Sequence, residues 1–238
     1  MVDIISLDRS IVPACDCGYT KFIDIVEATC DLDEVGAYKI GFSLALRHGL
    51  PSIADGIKHI TDKPIIFDHQ KGGTDIPDTA KEFASIMKDC KINAAIIYPL
   101  AGPATLKAYV CELQDAGVEA IVGGEMTHKG FLDSEGGYIS YTSVVNIYRD
   151  AANLGVTNFV VPGNKPHRIK FYKEMLEHEH PELEPTFFSP GLITQGGKIS
   201  EAAEAAGERW HAIIGRGIYE KEDREKIREA ALEYVSQL

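Results

Sequence analysis

Asp68, Lys71 and Asp75 stand three and four residues apart in the stretch Ile65-Ile66-Phe67-Asp68-His69-Gln70-Lys71-Gly72-Gly73-Thr74-Asp75-Ile76-Pro77-Asp78-Thr79. Three apolar residues running into a carboxylate read as a strand that ends in chemistry. A lysine held between two carboxylates keeps its proton, because nearby negative charge favours the ammonium form and raises its pKa. Such an ammonium can stabilise a developing carbanion and then protonate it. In a regular strand a three-residue interval sets two side chains on opposite faces. Gly72 and Gly73 permit the bulge or turn that re-aims Lys71 toward Asp68.

Two further charges precede this stretch. Asp8 follows the apolar run Ile4-Ile5-Ser6-Leu7, and Lys39 lies within Ala37-Tyr38-Lys39-Ile40-Gly41. A lysine inside so apolar a strand is costly unless it is paired or reaches a polar mouth. Asp8, Lys39, Asp68 and Lys71 thus form an alternating charge series on three successive strands. Downstream, Gly124-Glu125-Met126-Thr127-His128-Lys129-Gly130 is a polar loop after an apolar run. Two glycine-rich segments, Ser189-Pro190-Gly191-Leu192-Ile193-Thr194-Gln195-Gly196-Gly197 and Ile214-Gly215-Arg216-Gly217-Ile218-Tyr219, bring backbone N–H groups and the Arg216 cation to where a phosphate dianion can be held.

The elements that must position these groups alternate along the chain. Strands are predicted at Ile4–Leu7, Ala37–Ile40, Pro64–Phe67, Ala94–Ile97, Ala120–Val122, Asn158–Val161, Thr186–Phe188 and Ala212–Ile214. Helices are predicted near Tyr19–Cys30, Leu50–Ile60, Ile76–Cys90, Ala104–Ala116, Ser140–Leu154, Pro166–His178, Ser200–Ala206 and Lys221–Gln237. Strands alternating with helices argue for parallel β-α units, and about eight such units close a TIM barrel, a (β/α)8 fold. An open doubly wound sheet is the competing architecture. It normally carries a G-x-G-x-x-G turn after the first strand, where this chain has Asp8-Arg9-Ser10. No linker or composition break divides the chain, so one domain over residues 1–238 is expected. In a barrel the residues just past each strand line the active face, so the charged series, the polar loop and both glycine-rich segments converge.

The stretch from Asp68 to Thr79 resembles the Asp-x-Lys-x-x-Asp-Ile-Pro-x-Thr signature of orotidine 5′-phosphate decarboxylases, with each interval one residue longer. The resemblance extends along nearly the whole chain. Leu7-Asp8 is similar to the family's first aspartate, Tyr38-Lys39-Ile40-Gly41 to its first lysine, and Glu125-Met126-Thr127-His128 to its Glu-Met-Ser-His segment, a threonine replacing the serine. It implies decarboxylation of orotidine 5′-phosphate to uridine 5′-phosphate and carbon dioxide in pyrimidine synthesis, without cofactor or metal. It further implies catalytic roles for Lys71, Asp68, Asp75 and Lys39. Asp8 and Lys39 would hold ribose hydroxyls, Thr127 the pyrimidine, and Gln195 and Arg216 the phosphate. Ile76, Thr79, Pro190 and Gly215 would complete the substrate contacts. Asp75 would enter the neighbouring subunit's site, which makes the protein a homodimer. A magnesium-dependent sugar-phosphate enzyme of the hexulose-phosphate synthase type is one alternative. The other is a non-catalytic phosphate- or nucleotide-binding protein. The continuation Ile76-Pro77-Asp78-Thr79 and the segment Met126-Thr127-His128 favour the decarboxylase.

Composition narrows the classes further. Lys and Arg number 24 against 36 Asp and Glu, a net charge of −12, so the surface repels polyanions and nucleic acid is a poor partner. The five cysteines are scattered without a C-x-x-C pair, which reads as reduced thiols in a cytoplasmic protein. Cys15-Asp16-Cys17 supplies at most half of a metal site. His178-Glu179-His180 has a spacing of two at a helix end, where metal-binding helix histidines use four. No apolar run approaches the roughly 18 residues of a membrane span.

Overall fold

The computed structural model describes residues 3–68 and 74–238. The short apolar runs become eight strands: β1 (Arg9–Pro13), β2 (Tyr38–Gly41), β3 (Ile65–Asp68), β4 (Ala94–Ile97), β5 (Glu119–Gly123), β6 (Asn158–Val160), β7 (Thr186–Ser189) and β8 (Trp210–Ile214). They pair in parallel in the order β1-β8-β7-β6-β5-β4-β3-β2. The ring closes between β1 and β2 through the bridges Ile11 to Val35 and Ala14 to Lys39, where the Cys15 N–H donates to the Lys39 carbonyl at 2.8 Å. This is the expected (β/α)8 TIM barrel.

The helices are α1 (Tyr19–Thr29), α2 (Phe42–His48), α3 (Leu50–Lys58), α4 (Ala80–Asp89), α5 (Pro103–Ala116), α6 (Tyr141–Asn153), α7 (Pro166–Glu179), α8 (Ile199–Ala206), α9 (Arg216–Tyr219) and α10 (Arg224–Val235). Prolines open α5 and α7, where the missing N–H costs no helix bond. Ser140 and Asp223 cap α6 and α10 by accepting from the Ser143 and Lys226 N–H groups. Helix α2 was not expected; Gly49, at φ 76°, breaks what would otherwise be one longer helix with α3.

Because successive strand residues face opposite sides, two apolar layers form. Val12, Ala37, Ile66, Ile96, Ile121 and Ile213 fill the barrel interior. Ile11, Tyr38, Ile65, Ile97, Val122 and Trp210 pack outward under the helices. Each such side chain is worth about 1.5–3 kcal/mol on burial, so a one-residue slip of any strand is strongly opposed.

The first strand departs from expectation. Residues 4–8 form bends rather than a strand, and Ile4 and Ile5 plug the floor of the barrel, at the N-terminal ends of the strands. The true β1 carries Pro13 and polar Arg9 and Ser10, which mask its pattern, since proline disfavours a strand reading. Asp8 is therefore at the floor: it is exposed, and its carbonyl accepts the Trp210 N–H at the start of β8.

Just above this floor, Ser10 Oγ lies 2.9 Å from His211 Nδ1. Burial, reinforced by the Arg209 charge, pushes the His211 pKa down to about 3. An unfolded histidine binds its proton below about pH 6.5, so between those values the unfolded chain holds the extra proton and stability falls as pH drops. Urea denaturation of the wild type and His211→Gln from pH 7 to pH 4 should therefore show the wild type losing on the order of a few kcal/mol more than the variant. Parallel pH curves would mean that His211 is already charged in the fold.

Candidate active site

The C-terminal ends of the strands form the mouth, and the charge network there starts from β2. Lys39 faces inward beyond Ala37 and is 5% exposed. Its ammonium donates to Asp68 Oδ2 at 2.6 Å and contacts Asp16 Oδ2 at 3.4 Å. Burial alone would lower the lysine pKa, but the Asp68 and Asp16 carboxylates outweigh it and hold Lys39 above the ordinary lysine range. Asp68 ends β3, is 8% exposed, and its buried Oδ1 has no hydrogen-bond partner among the described residues.

Asp16, not Asp8, is the first carboxylate of this network. It continues the inward parity of Val12 and Ala14 just past β1. Its carboxylate lies over Gly41, where an added Cβ would sit 1.7 Å from Asp16 Oδ1, so glycine there leaves the room the carboxylate occupies. The flanking thiols stay protonated: burial raises Cys15 well above its ordinary value and pushes Cys17 up to about 12. The Cys15-Asp16-Cys17 segment thus offers a carboxylate rather than thiolates.

These groups open onto a cavity of about 170 Å³. Asp16, Lys39 and Asp68 line it together with Pro190, Gln195, Gly215 and Arg216 from both glycine-rich segments, as expected. Arg216 begins α9 at the exposed rim. Met126 and Thr127 come in from the loop after β5. A larger hollow of about 790 Å³ lies near the floor, lined by residues such as Ile4, Asn93 and Glu119. Volume does not decide between them; the paired charges are at the mouth.

A second buried network, spread over distant residues, holds the Thr127 loop. Glu125 is 1% exposed and accepts from Lys165 at 2.8 Å and from the Tyr172 hydroxyl. Arg168 Nε adds its charge at 3.8 Å. Lys165 also reaches the Met126 carbonyl, and Asn164 Nδ2 donates to the Thr127 carbonyl at 3.0 Å. Loop backbone tied at consecutive residues holds Thr127 toward the cavity.

Besides Asp8, three expected residues do not reach the cavity of their own chain. Asp75 is exposed, its Oδ1 accepting the Ile76 N–H at 2.7 Å while its carbonyl accepts from Thr105. Ile76 is 60% exposed, and Thr79 Oγ1 bonds the Ile76 carbonyl and the Tyr109 hydroxyl. Lys71 lies outside the described residues. Sequence reasoning missed Asp16, whose signal was the alternation of Val12 and Ala14. It also gave no role to Tyr98, which follows the predicted strand Ala94–Ile97.

Residues 4–231 match the family described as orotidine 5′-phosphate decarboxylase / HUMPS. The chain is 32% identical over 203 residues to the orotidine 5′-phosphate decarboxylase of Methanosarcina barkeri, covering 84% of this chain and 83% of that one. With the enzyme of Pyrococcus abyssi identity is 30% over 220 residues, 92% and 93% of the two chains. Among solved structures, the orotidine 5′-monophosphate decarboxylase of Methanocaldococcus jannaschii, complexed with the inhibitor BMP, superposes with a TM-score of 0.82 at 27% identity over 97% and 98% of the chains.

Asp8 and Asp16 separate cleanly by substitution. Asp16→Asn, which strips the half-exposed carboxylate from the Lys39 pair, should lower kcat/KM by roughly fivefold or more, starting from the upper end of what a partly exposed ion pair contributes. Asp8→Asn should stay within about twofold of wild type, as surface changes usually do. Steady-state kinetics of both variants checks this, and the opposite ranking would return the role to Asp8.

Proposed function

The chain belongs to the orotidine 5′-phosphate decarboxylase / HUMPS family, and from that premise we propose that it converts orotidine 5′-phosphate to uridine 5′-phosphate and carbon dioxide. The observation that carries this reading is the Lys39 ammonium held by Asp16 and Asp68 in a cavity that Arg216 also lines.

Breaking the bond from C6 to the carboxylate leaves the electron pair in an in-plane orbital at C6, with no π-system to spread it. Catalysis must therefore come from fixed charges. Arg216 and Gln195 hold the phosphate, Thr127 the pyrimidine edge, and Asp16 takes the ribose role expected of Asp8, beside Lys39. Pro190 and Gly215 shape the wall between. Asp68 stands against the departing carboxylate, and the Lys71 ammonium stabilises the C6 carbanion and then delivers its proton. Lys39 holds Asp68 in place. Phosphate contacts far from C6 convert binding energy into transition-state stabilisation.

We read the protein as a homodimer with Asp75, Ile76 and Thr79 serving the site of a second copy. Supporting this, these residues are not among those lining their own cavity, and large apolar side chains, Phe42 at 55%, Leu46 at 76% and Ile76 at 60% exposure, are left uncovered. Residues 1–238 are read as one catalytic domain. A cytoplasmic location fits a chain in which no described helix is long and apolar enough to cross a membrane.

The test follows orotidylate absorbance and carbon dioxide release after exhaustive chelation. Turnover should persist, and Lys71→Ala should abolish it while leaving uridine 5′-phosphate binding largely intact. Activity lost with chelator and restored by magnesium would indicate sugar-phosphate chemistry instead, and nucleotide binding without turnover a binding protein.

A further inference from the structure

Tyr98 follows β4 and continues the inward parity of Ala94 and Ile96, placing its side chain in the barrel interior, one pleat above the Asp68 to Ile96 pairing. It is 2% exposed and lines the cavity together with Asp68 and Thr127. The ring stands over Gly123 at the end of β5: a Cβ on Gly123 would lie 2.3 Å from Tyr98 Cζ, so the missing side chain there is what admits the phenol. Buried tyrosine hydroxyls usually find a partner. Here the Tyr98 ring is enclosed, and its hydroxyl makes no hydrogen bond with the described residues around it, although neighbouring Tyr148 bonds the Val160 carbonyl at 2.7 Å. Burial, then the charges of Asp68 and Glu125 among others, keep the Tyr98 phenol protonated at neutral pH. It is a neutral donor near Asp68, whose Oδ1 has no hydrogen-bond partner among the described residues.

We propose that the Tyr98 hydroxyl donates a hydrogen bond to the C6 carboxylate of bound orotidine 5′-phosphate, making Tyr98 a specificity residue for the carboxylated pyrimidine. The proposal rests on the decarboxylase reading above. A substrate carboxylate set against Asp68 meets like charge, and an uncharged donor on the adjacent strand offsets part of that repulsion without cancelling it. The bond is kept in the bound substrate and in the transition state alike and is lost only as carbon dioxide departs. It therefore serves binding and discrimination more than the chemical step. The product, which lacks the carboxylate, gains nothing from it.

Tyr98→Phe removes only the hydroxyl and keeps the ring over Gly123, so the fold should hold, which a melting curve verifies. With the full-length enzyme, KM for orotidine 5′-phosphate should rise roughly 10- to 100-fold, the scale of a hydrogen bond to a charged group. The turnover number should change by less than about threefold, and the inhibition constant of uridine 5′-phosphate should stay within about twofold. A KM within twofold of wild type would show that the hydroxyl does not touch the substrate. A parallel loss of uridine 5′-phosphate affinity would reduce Tyr98 to general packing, and a collapse of turnover at unchanged KM would place its action in the transition state; either result overturns the proposal. A wild type that binds uridine 5′-phosphate but releases no carbon dioxide from orotidylate defeats the decarboxylase reading itself, and this inference with it.

Discussion

A buried ammonium between two carboxylates is the interaction on which the mouth of this barrel depends. Lys39 lies where burial would normally strip its proton, and only the Asp68 and Asp16 carboxylates, at 2.6 and 3.4 Å, keep it charged. Removing Asp68, the buried partner, costs about 3–5 kcal/mol because the Lys39 charge is left desolvated, whereas Asp16, whose side chain is 40% exposed, contributes less. The three residues come from the ends of β1, β2 and β3, so the pair also fixes how those strand ends sit. Its geometry leaves Asp68 Oδ1 without a hydrogen-bond partner among the described residues.

The rest of the fold serves this arrangement through parity. Inward positions are apolar through the middle of the barrel and turn polar only at its two ends. At the floor, Ser10 and His211 pair as neutral groups, and Ile4 and Ile5 close the opening. At the mouth the same inward columns carry Asp16, Lys39, Asp68 and Tyr98. The Glu125 network behind the β5 loop extends the order outward, since a loop whose carbonyls are held by Lys165 and Asn164 presents Thr127 at a defined place.

Much of this was legible from residue order, because seven of the eight strands are β-rich runs bounded by turn residues. The eighth was not, and the reason is local. Pro13 and Ser10 make β1 a weaker pattern than the run at Ile4–Leu7, which is apolar because it plugs the floor. That single shift moved the first aspartate from Asp16 to Asp8, since both follow apolar residues. The Glu125 network was invisible for a different reason: Lys165 and Tyr172 lie 40 and 47 residues away, and nothing local marks them as partners. The fit of Tyr98 over Gly123 likewise needs the β4 to β5 register, which spacing along one strand does not contain.

The central claim is that pairing, not burial, sets the charge of Lys39, and ¹⁵N NMR of lysine-labelled protein reads it directly. Surface lysines lose their protons near about pH 10.4. If the two carboxylates dominate, the Lys39 amine resonance, assigned by its absence in Lys39→Arg, remains that of an ammonium above the pH at which the others titrate. A Lys39 signal that deprotonates with the surface lysines or before them would contradict the account, because the ion pair could not then be holding the charge that places Asp68.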